Sequence, residues 1–271
     1  MGSSTGHGPS HAIDTSIPSA ARMYDLLLGG TLNFEADRLA CEELLRTAPS
    51  IGELAVNNRW FLQRVVRHLA AERGIRQFID HGSGLPTEPN VHQVAQEANA
   101  EARVAYVDND PIVIAYGRTS LDVNSGTRFI DASMTDTGRI FEEAGAGGFI
   151  DFAEPVAALF VSVIHCLKDS EEPQEMIRRV RERLAPGSYM VICQLVSDDE
   201  SVRHGITELM RHGTGDNWGR VRQKEDVRAY FDGMTVLDPY LCDVTYWRPD
   251  SELHRPQRSH EVIEFGGVAR V

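Results

Sequence analysis

Residues 76–97 read RQFIDHGSGLPTEPNVHQVAQE. A short apolar run ends at Asp80, the turn Gly82, Ser83, Gly84 follows, and after Thr87 the chain reads as a helix. Strand, glycine turn and helix together bring a ligand close to the main chain beside a helix start. A dinucleotide fingerprint set on Gly82 and Gly84 puts its third glycine at Thr87, so it fails. Asp80, two residues before Gly82, would also crowd a pyrophosphate. A cation reverses the second objection. S-adenosylmethionine carries an ammonium, a sulfonium and two ribose hydroxyls, and no phosphate.

The same period continues outward. RVAYVD, TRFIDA, PVAALFVSVI and SYMVICQL read as strands. The segments PIVIAYGRTSL, GRIFEEAG and EPQEMIRRVRERLAPG between them read as helices. Strands without polar alternation, separated by helices, predict a parallel sheet covered on both faces. After a helix near residues 224–231, the segments MTVLDPY, LCDVTYW and EVIEFGGVARV predict two or three late strands and an antiparallel end to the sheet. A polar, proline-bearing loop is expected over residues 249–260.

Three helices are expected before the sheet. SAARMYDLLLGG stops at Gly29 and Gly30. NFEADRLACEELLRTAP has Leu39, Leu44 and Leu45 along one side, and residues 57–71 carry Phe61, Val65 and Leu69 at helical spacing. The organisation expected is a disordered leader over 1–17, a helical lid over 18–73 and a sheet domain over 74–271.

Composition removes several classes of function. The 271 residues carry a net charge of −13, against a broad nucleic-acid footprint. The four cysteines form no CxxC pair and the ten histidines no HExxH or HxH pattern, so neither disulfides nor a metal is expected. There is no GxSxG elbow and no Walker A loop. No apolar run approaches the ~18 residues of a membrane span, and the first residues lack the apolar core of a signal peptide. A cytoplasmic protein is expected.

Asp80 and Asp108 end successive strands on either side of the glycine turn, one helix apart. Either alone could be a helix cap or a solvated loop acid. Together they suit a cation and a ribose: Asp80 toward the ammonium, Asp108 accepting the two hydroxyls.

ARMYDLLLGGTLNFEADR, NNRWFLQRVVRHL, QFIDHGSGLPTEPNVHQVAQ and AYVDNDPIVIAYGR, with VSVIHCLKD and the terminal FGGVAR, carry a resemblance. They resemble the actinobacterial S-adenosylmethionine-dependent methyltransferase-like proteins once grouped as domain of unknown function 574. The likeness covers nearly the whole chain after the leader. DHGSGLPT is similar to that family's first methyltransferase motif, in which proline replaces the last glycine. The resemblance implies a class I methyltransferase fold: a Rossmann-like, mostly parallel seven-stranded sheet with an antiparallel last strand, plus the N-terminal helical lid. It implies S-adenosylmethionine as cofactor and leaves the acceptor open.

Under that reading Gly82, Ser83 and Gly84 approach the methionyl group, Pro86 fixes the backbone before the helix, and Thr87 caps that helix. Asn109 is a candidate for the adenine or ribose edge. Asp131, Ser133 and Asp136 compete for the adenine amino group, and the resemblance implies an acid where Ser133 stands. Ser162 and His165 fall at the carboxyl edge of the sheet; His165 is the candidate general base, with an inert packed histidine as the alternative. Tyr24, Asn33 and Phe34, around a Gly29–Gly30 hinge, are candidates to cover the cofactor. Arg59 is a candidate partner for its carboxylate, with a surface ion pair as the alternative.

The expected function is methyl transfer from S-adenosylmethionine to a small-molecule acceptor, by in-line displacement. A cofactor-binding regulator or scaffold without turnover is the alternative, because no acceptor-site base stands out. A nicotinamide oxidoreductase ranks third, since the third glycine is missing.

Overall fold

Leu69, Val65 and Phe61, at the expected spacing on the third helix, lie against the first strand and fix how the N-terminal helices meet the sheet. The structure is a computed structural model and describes residues 13–249, 257 and 261–271. Helices α1 (Ala20–Leu27), α2 (Glu35–Thr47) and α3 (Ile51–Glu72) precede β1 (Gln77–His81). The alternation then runs α4 (Val91–Ala98), β2 (Arg103–Asp108), α5 (Pro111–Ser120), β3 (Thr127–Asp131), α6 (Thr137–Gly145), β4 (Ala157–Val161), α7 (Pro173–Arg181) and β5 (Tyr189–Val196). Last come α8 (Glu200–Gly213), α9 (Lys224–Ala229), β6 (Thr235–Val236), β7 (Cys242–Asp243) and β8 (Ile263–Arg270).

One eight-stranded sheet has the order β3-β2-β1-β4-β5-β8-β6, with β7 paired to β8 off that path. The pairs β1–β2, β1–β4, β2–β3 and β4–β5 are parallel. β8 runs antiparallel to β5 along its whole length, from Tyr189 opposite Arg270 to Val196 opposite Ile263. This is the mostly parallel, antiparallel-ended sheet that the resemblance implies. Strands β6 and β7 shrink to two residues each, and counting β7 makes eight strands rather than seven.

Both faces of the sheet are apolar, as the runs without alternation require. Ile79, Val107 and Phe160 meet Ile140, Met176 and Val180 on one face. Phe78, Val104 and Tyr106 meet the second half of α3 and Val91 and Val94 of α4 on the other. The first half of α3 joins α1, α2 and α8 in a third cluster, with Met23, Leu44, Leu54, Ile206, Met210 and Trp218. Twenty-two residues make α3 long enough to serve both clusters.

Two expectations need correcting. Helix α8 interrupts a segment where no helix was expected. The buried side of α2 is Asp37, Cys41 and Leu44, while Leu39 and Leu45 face solvent. The reason is a buried ion pair: Arg22 Nε donates to Asp37 Oδ1 and Oδ2 at 3.0 and 2.8 Å, which turns the acid inward. Arg22 also donates to the carbonyls of Asp14 and Ile17. The rest of the expected leader, residues 1–12, and residues 250–256 and 258–260 of the expected polar loop lie outside the described residues.

All four cysteines are free, and among the described residues no cluster of His, Cys, Asp and Glu could hold a metal. No helix among the described residues is long and apolar enough to cross a membrane.

Candidate functional site

The end of β2 receives the turn that leaves β1. Gly82 N–H and Ser83 N–H both donate to Val107 O, at 2.8 and 3.1 Å, and Gly84 N–H donates to Asp108 Oδ2 at 2.9 Å. Asp108 Oδ1 accepts from Asp110 N–H at 2.9 Å. The two glycines have φ of 68° and 67°, a region that L side chains avoid. They differ in surroundings. A Cβ on Gly82 would lie 2.2 Å from Val163 Cγ2, whereas one on Gly84 would meet nothing within 4 Å. Thr87 does not cap α4. Its amide donates to Asn90 Oδ1 at 3.1 Å, and Asn90, paired with Gln93, is the capping residue.

A cavity of about 510 Å³ opens above this turn, between the carboxyl edge of the sheet and helices α1, α3 and α8. That size suits a small-molecule site, which spans ~300–1,000 Å³. Its polar lining includes Arg59, Asp80, Ser83 and Asp108. Leu27, Leu54, Ile206, Met210 and Trp218, which pack in one apolar cluster, also line it. Residues Ile13, Asp14 and Ile17 close one side. They are positioned by Arg22 and by Ser19, whose Oγ donates to Asp110 Oδ2 at 2.5 Å.

Carboxylates dominate the electrostatics. Burial pushes Asp80 up to about 7, with the Arg59 charge opposing it and Asp108 adding to it. Burial raises Asp108 to about 6, against the backbone N–H groups of Asp110 and Gly84. Glu264 of β8, which sequence reasoning missed, also lines the cavity. Burial lifts it to about 7, against the Ser162 hydroxyl and the Cys193 thiol beside it. A cation bound among these three acids would favour their ionised forms.

The cavity gathers Tyr24, Arg59, Asp80, Gly82, Ser83, Gly84, Asp108, Asn109, Ser162 and His165 from the expected set. Arg59 is not a surface ion-pair residue. Its Nη2 donates to Thr87 O and to Pro89 O, tying α3 to the chain beyond the glycine turn. Arg59 Nε and Ser83 Oγ are buried with no partner among the described residues, two donors available to an anion such as a ligand carboxylate. Tyr24 O–H donates to Ala55 O and accepts from Asn58 Nδ2 at 2.9 Å, and burial raises its pKa.

Four expected residues lie elsewhere. Asp131 sits at the end of β3, half-exposed, with its carboxylate 3.4 Å from Arg118; Ser133 Oγ bonds Thr135 Oγ1 at 2.8 Å. Their neighbours Ala132 and Met134 line the cavity instead. Asn33 and Phe34 belong to the α1–α2 connection. Asp25 accepts from Leu32 N–H and from Asn33 Nδ2, and Phe34 N–H donates to Asp37 at 2.8 Å. A Cβ on Gly30 would fall 2.0 Å from Asp25 Oδ1. The glycine pair is a turn packed on a carboxylate.

His165 lines the cavity but is poorly suited to act as a base. Its Nδ1 accepts the Leu195 N–H at 3.2 Å, which leaves the ring proton on Nε2. Burial, and then the Arg222 charge, lower its pKa to about 3. Trp218 packs on the ring at 4.8 Å.

Residues 6–271 match the model of a family described as S-adenosyl methyltransferase. The chain belongs to that family. A protein of Thermobifida fusca described as a "putative methyltransferase" is 35% identical, with a TM-score of 0.87 over 95% of this chain and 96% of its own. A domain of unknown function 574 protein of Streptomyces avermitilis is 30% identical, with a TM-score of 0.85 over 96% and 99% of the two chains. No relative was found among curated proteins. The chain is thus an S-adenosylmethionine-dependent methyltransferase. S-adenosylmethionine is its cofactor, as the acids about the glycine turn anticipate.

Proposed function

We propose that this S-adenosyl methyltransferase methylates a small, largely apolar molecule, with both substrates held in the 510 Å³ cavity. The observation that carries the proposal is that one cavity is lined both by the acids at the ends of β1 and β2 and by an apolar cluster of Leu27, Leu54, Ile206, Met210 and Trp218. Asp80 would face the ammonium of the cofactor. Arg59 Nε and Ser83 Oγ would donate to its carboxylate. The carboxylate of Asp108 already accepts two main-chain N–H groups, and its remaining lone pairs would accept the ribose hydroxyls. Open space beside Gly84 would admit the methionyl chain. When bound, the cofactor supplies an activated methyl group on a sulfonium.

The rest of the work is alignment and shielding. Leu27, Leu54, Ile206, Met210 and Trp218 would orient the acceptor and keep water out, which favours in-line transfer. Helices α1–α3 and residues 13–17 would act as the lid, anchored through the Ser19–Asp110 bond. Incubation with methyl-labelled S-adenosylmethionine and panels of apolar amines, phenols and alcohols tests the reading. Label in a small product together with S-adenosylhomocysteine is expected. Tight cofactor binding without turnover across the panels, or label only on macromolecules, would count against it.

A further inference from the structure

Glu264 is a buried carboxylate with an unfilled place. It lies opposite Leu195 on β8, is 4% exposed, and lines the cavity. Its side chain reaches past β5 to Ser162, just beyond β4, whose Oγ donates to Oε1 at 2.6 Å. Its Oε2 is buried and has no hydrogen-bond partner among the described residues: the Cys193 thiol lies beside the carboxylate but gives its one proton to Asn58 Oδ1 at 3.2 Å. Ionised carboxylates are rarely buried without a cation or a full set of donors, because desolvation is costly.

The neighbourhood holds the group in place. Ser162 has a φ of 57°, uncommon for a residue with a side chain. Its N–H donates to Cys193 O at 3.0 Å while its hydroxyl holds Glu264. Cys193 Sγ in turn contacts Asn58 Oδ1 at 3.2 Å, and Asn58 bonds Tyr24. One carboxylate oxygen is thus fixed by a strained serine on a buried polar chain, and the other is left free.

We propose that Glu264 Oε2 faces the transferred methyl group and receives the proton of the acceptor, and that the acceptor presents an amine N–H or a hydroxyl O–H there. This rests on the reading of the preceding subsection. The lone pair of the acceptor N or O forms the new bond to the methyl carbon. The carbon–sulfur bond breaks with its pair passing to sulfur, which gives the neutral thioether S-adenosylhomocysteine. The acceptor proton passes to Glu264 Oε2 and from there to water. Burial holds the acid at about 7, so it can take and release a proton near neutrality. His165 cannot compete, since its Nδ1 already accepts the Leu195 amide. A carboxylic-acid acceptor would meet Glu264 as a like charge, so the site selects against it.

Sinefungin, in which a carbon bearing an ammonium replaces the methylsulfonium, tests the geometry without knowledge of the acceptor. Calorimetry at ~pH 8, with Glu264 ionised, compares it with S-adenosylhomocysteine on the whole chain. The wild type should prefer sinefungin by about tenfold or more, and Glu264→Gln should remove that preference with S-adenosylhomocysteine affinity held within about threefold. Glu264→Asp keeps the charge but withdraws it by one methylene, and serves if the amide variant does not fold; it should shrink the preference in the same direction. An unchanged sinefungin preference in a folded variant overturns the proposal alone. Failure of the wild type to bind S-adenosylhomocysteine overturns the cofactor placement and the proposal with it. In the complex with S-adenosylhomocysteine, 2-phenylethylamine should bind more tightly than 3-phenylpropanoate. Equal or reversed order overturns the acceptor class.

Discussion

The main-chain N–H of Gly84 donates to Asp108 Oδ2 at 2.9 Å, so the turn after β1 is fastened to the last residue of β2. The two glycines of that turn should therefore fail differently when substituted. Gly82→Ala drives its methyl into Val163 at 2.2 Å and should lower the melting temperature sharply. Gly84→Val meets no protein atom within 4 Å of its Cβ, so it should cost only the ~1–2 kcal/mol of its left-handed backbone and stay folded while losing cofactor affinity. Thermal unfolding and S-adenosylhomocysteine titration of both variants check this. A folded Gly84→Val that binds normally would make the turn purely structural.

Asp37 should matter to stability more than any other residue of α2. It accepts from Arg22 Nε, Ser19 N–H and Phe34 N–H and is fully buried. Asp37→Ala leaves the Arg22 guanidinium buried without its carboxylate, a change that typically costs ~3–5 kcal/mol. Denaturant unfolding should show a loss of that order. A loss below ~1 kcal/mol, the ordinary range of exposed pairs, would contradict the account.

The three raised acids make folding and binding respond to pH in opposite ways. Asp80 and Glu264 titrate at about 7 and Asp108 at about 6 in the fold, above the 3.8 and 4.5 of free carboxyls. The folded chain therefore holds more protons than the unfolded one across this window. The stability contributed by these groups is fully present below ~4 and is lost as pH rises through ~6–7. A cationic ligand favours the ionised acids, so S-adenosylmethionine should bind more tightly as pH rises through ~7 and should release protons on binding. Calorimetry in buffers of different ionisation enthalpy measures that release, which Asp80→Asn should reduce. Proton uptake would contradict the charge assignment.

Features legible in the sequence share one property: they depend on residues close together in the chain. Asp80, Gly82, Gly84 and Asp108 sit where a strand, a turn and the next strand place them, and the apolar period of residues 61–69 fixes α3. What escaped depends on distant partners. Glu264 lies within the apolar run EVIEFGGVARV and acquires its role only when β8 inserts beside β5 and brings it to Ser162. Helix α8 did carry a local signal, an Asp199 cap that accepts from the Ser201 and Val202 N–H groups with Ile206 and Met210 four apart, but its first turns, ESVRHG, carry few apolar residues to mark the period. Asn33, Phe34 and the glycine pair carry a strong local signature, yet it is turn chemistry organised by Asp25 and Asp37 rather than contact with the cavity. Beyond the end of β3, Ala132 and Met134 line the cavity, while Asp131 and Ser133 do not.

The most direct measurement is the dissociation constant of S-adenosylhomocysteine for the wild type and for Asp108→Ala. The account predicts binding by the wild type and, in a variant that stays folded by circular dichroism, a loss of about 1.5–3 kcal/mol or more, roughly 10–150-fold, because hydrogen bonds to a charged acceptor disappear. An unchanged dissociation constant in the folded variant would contradict it.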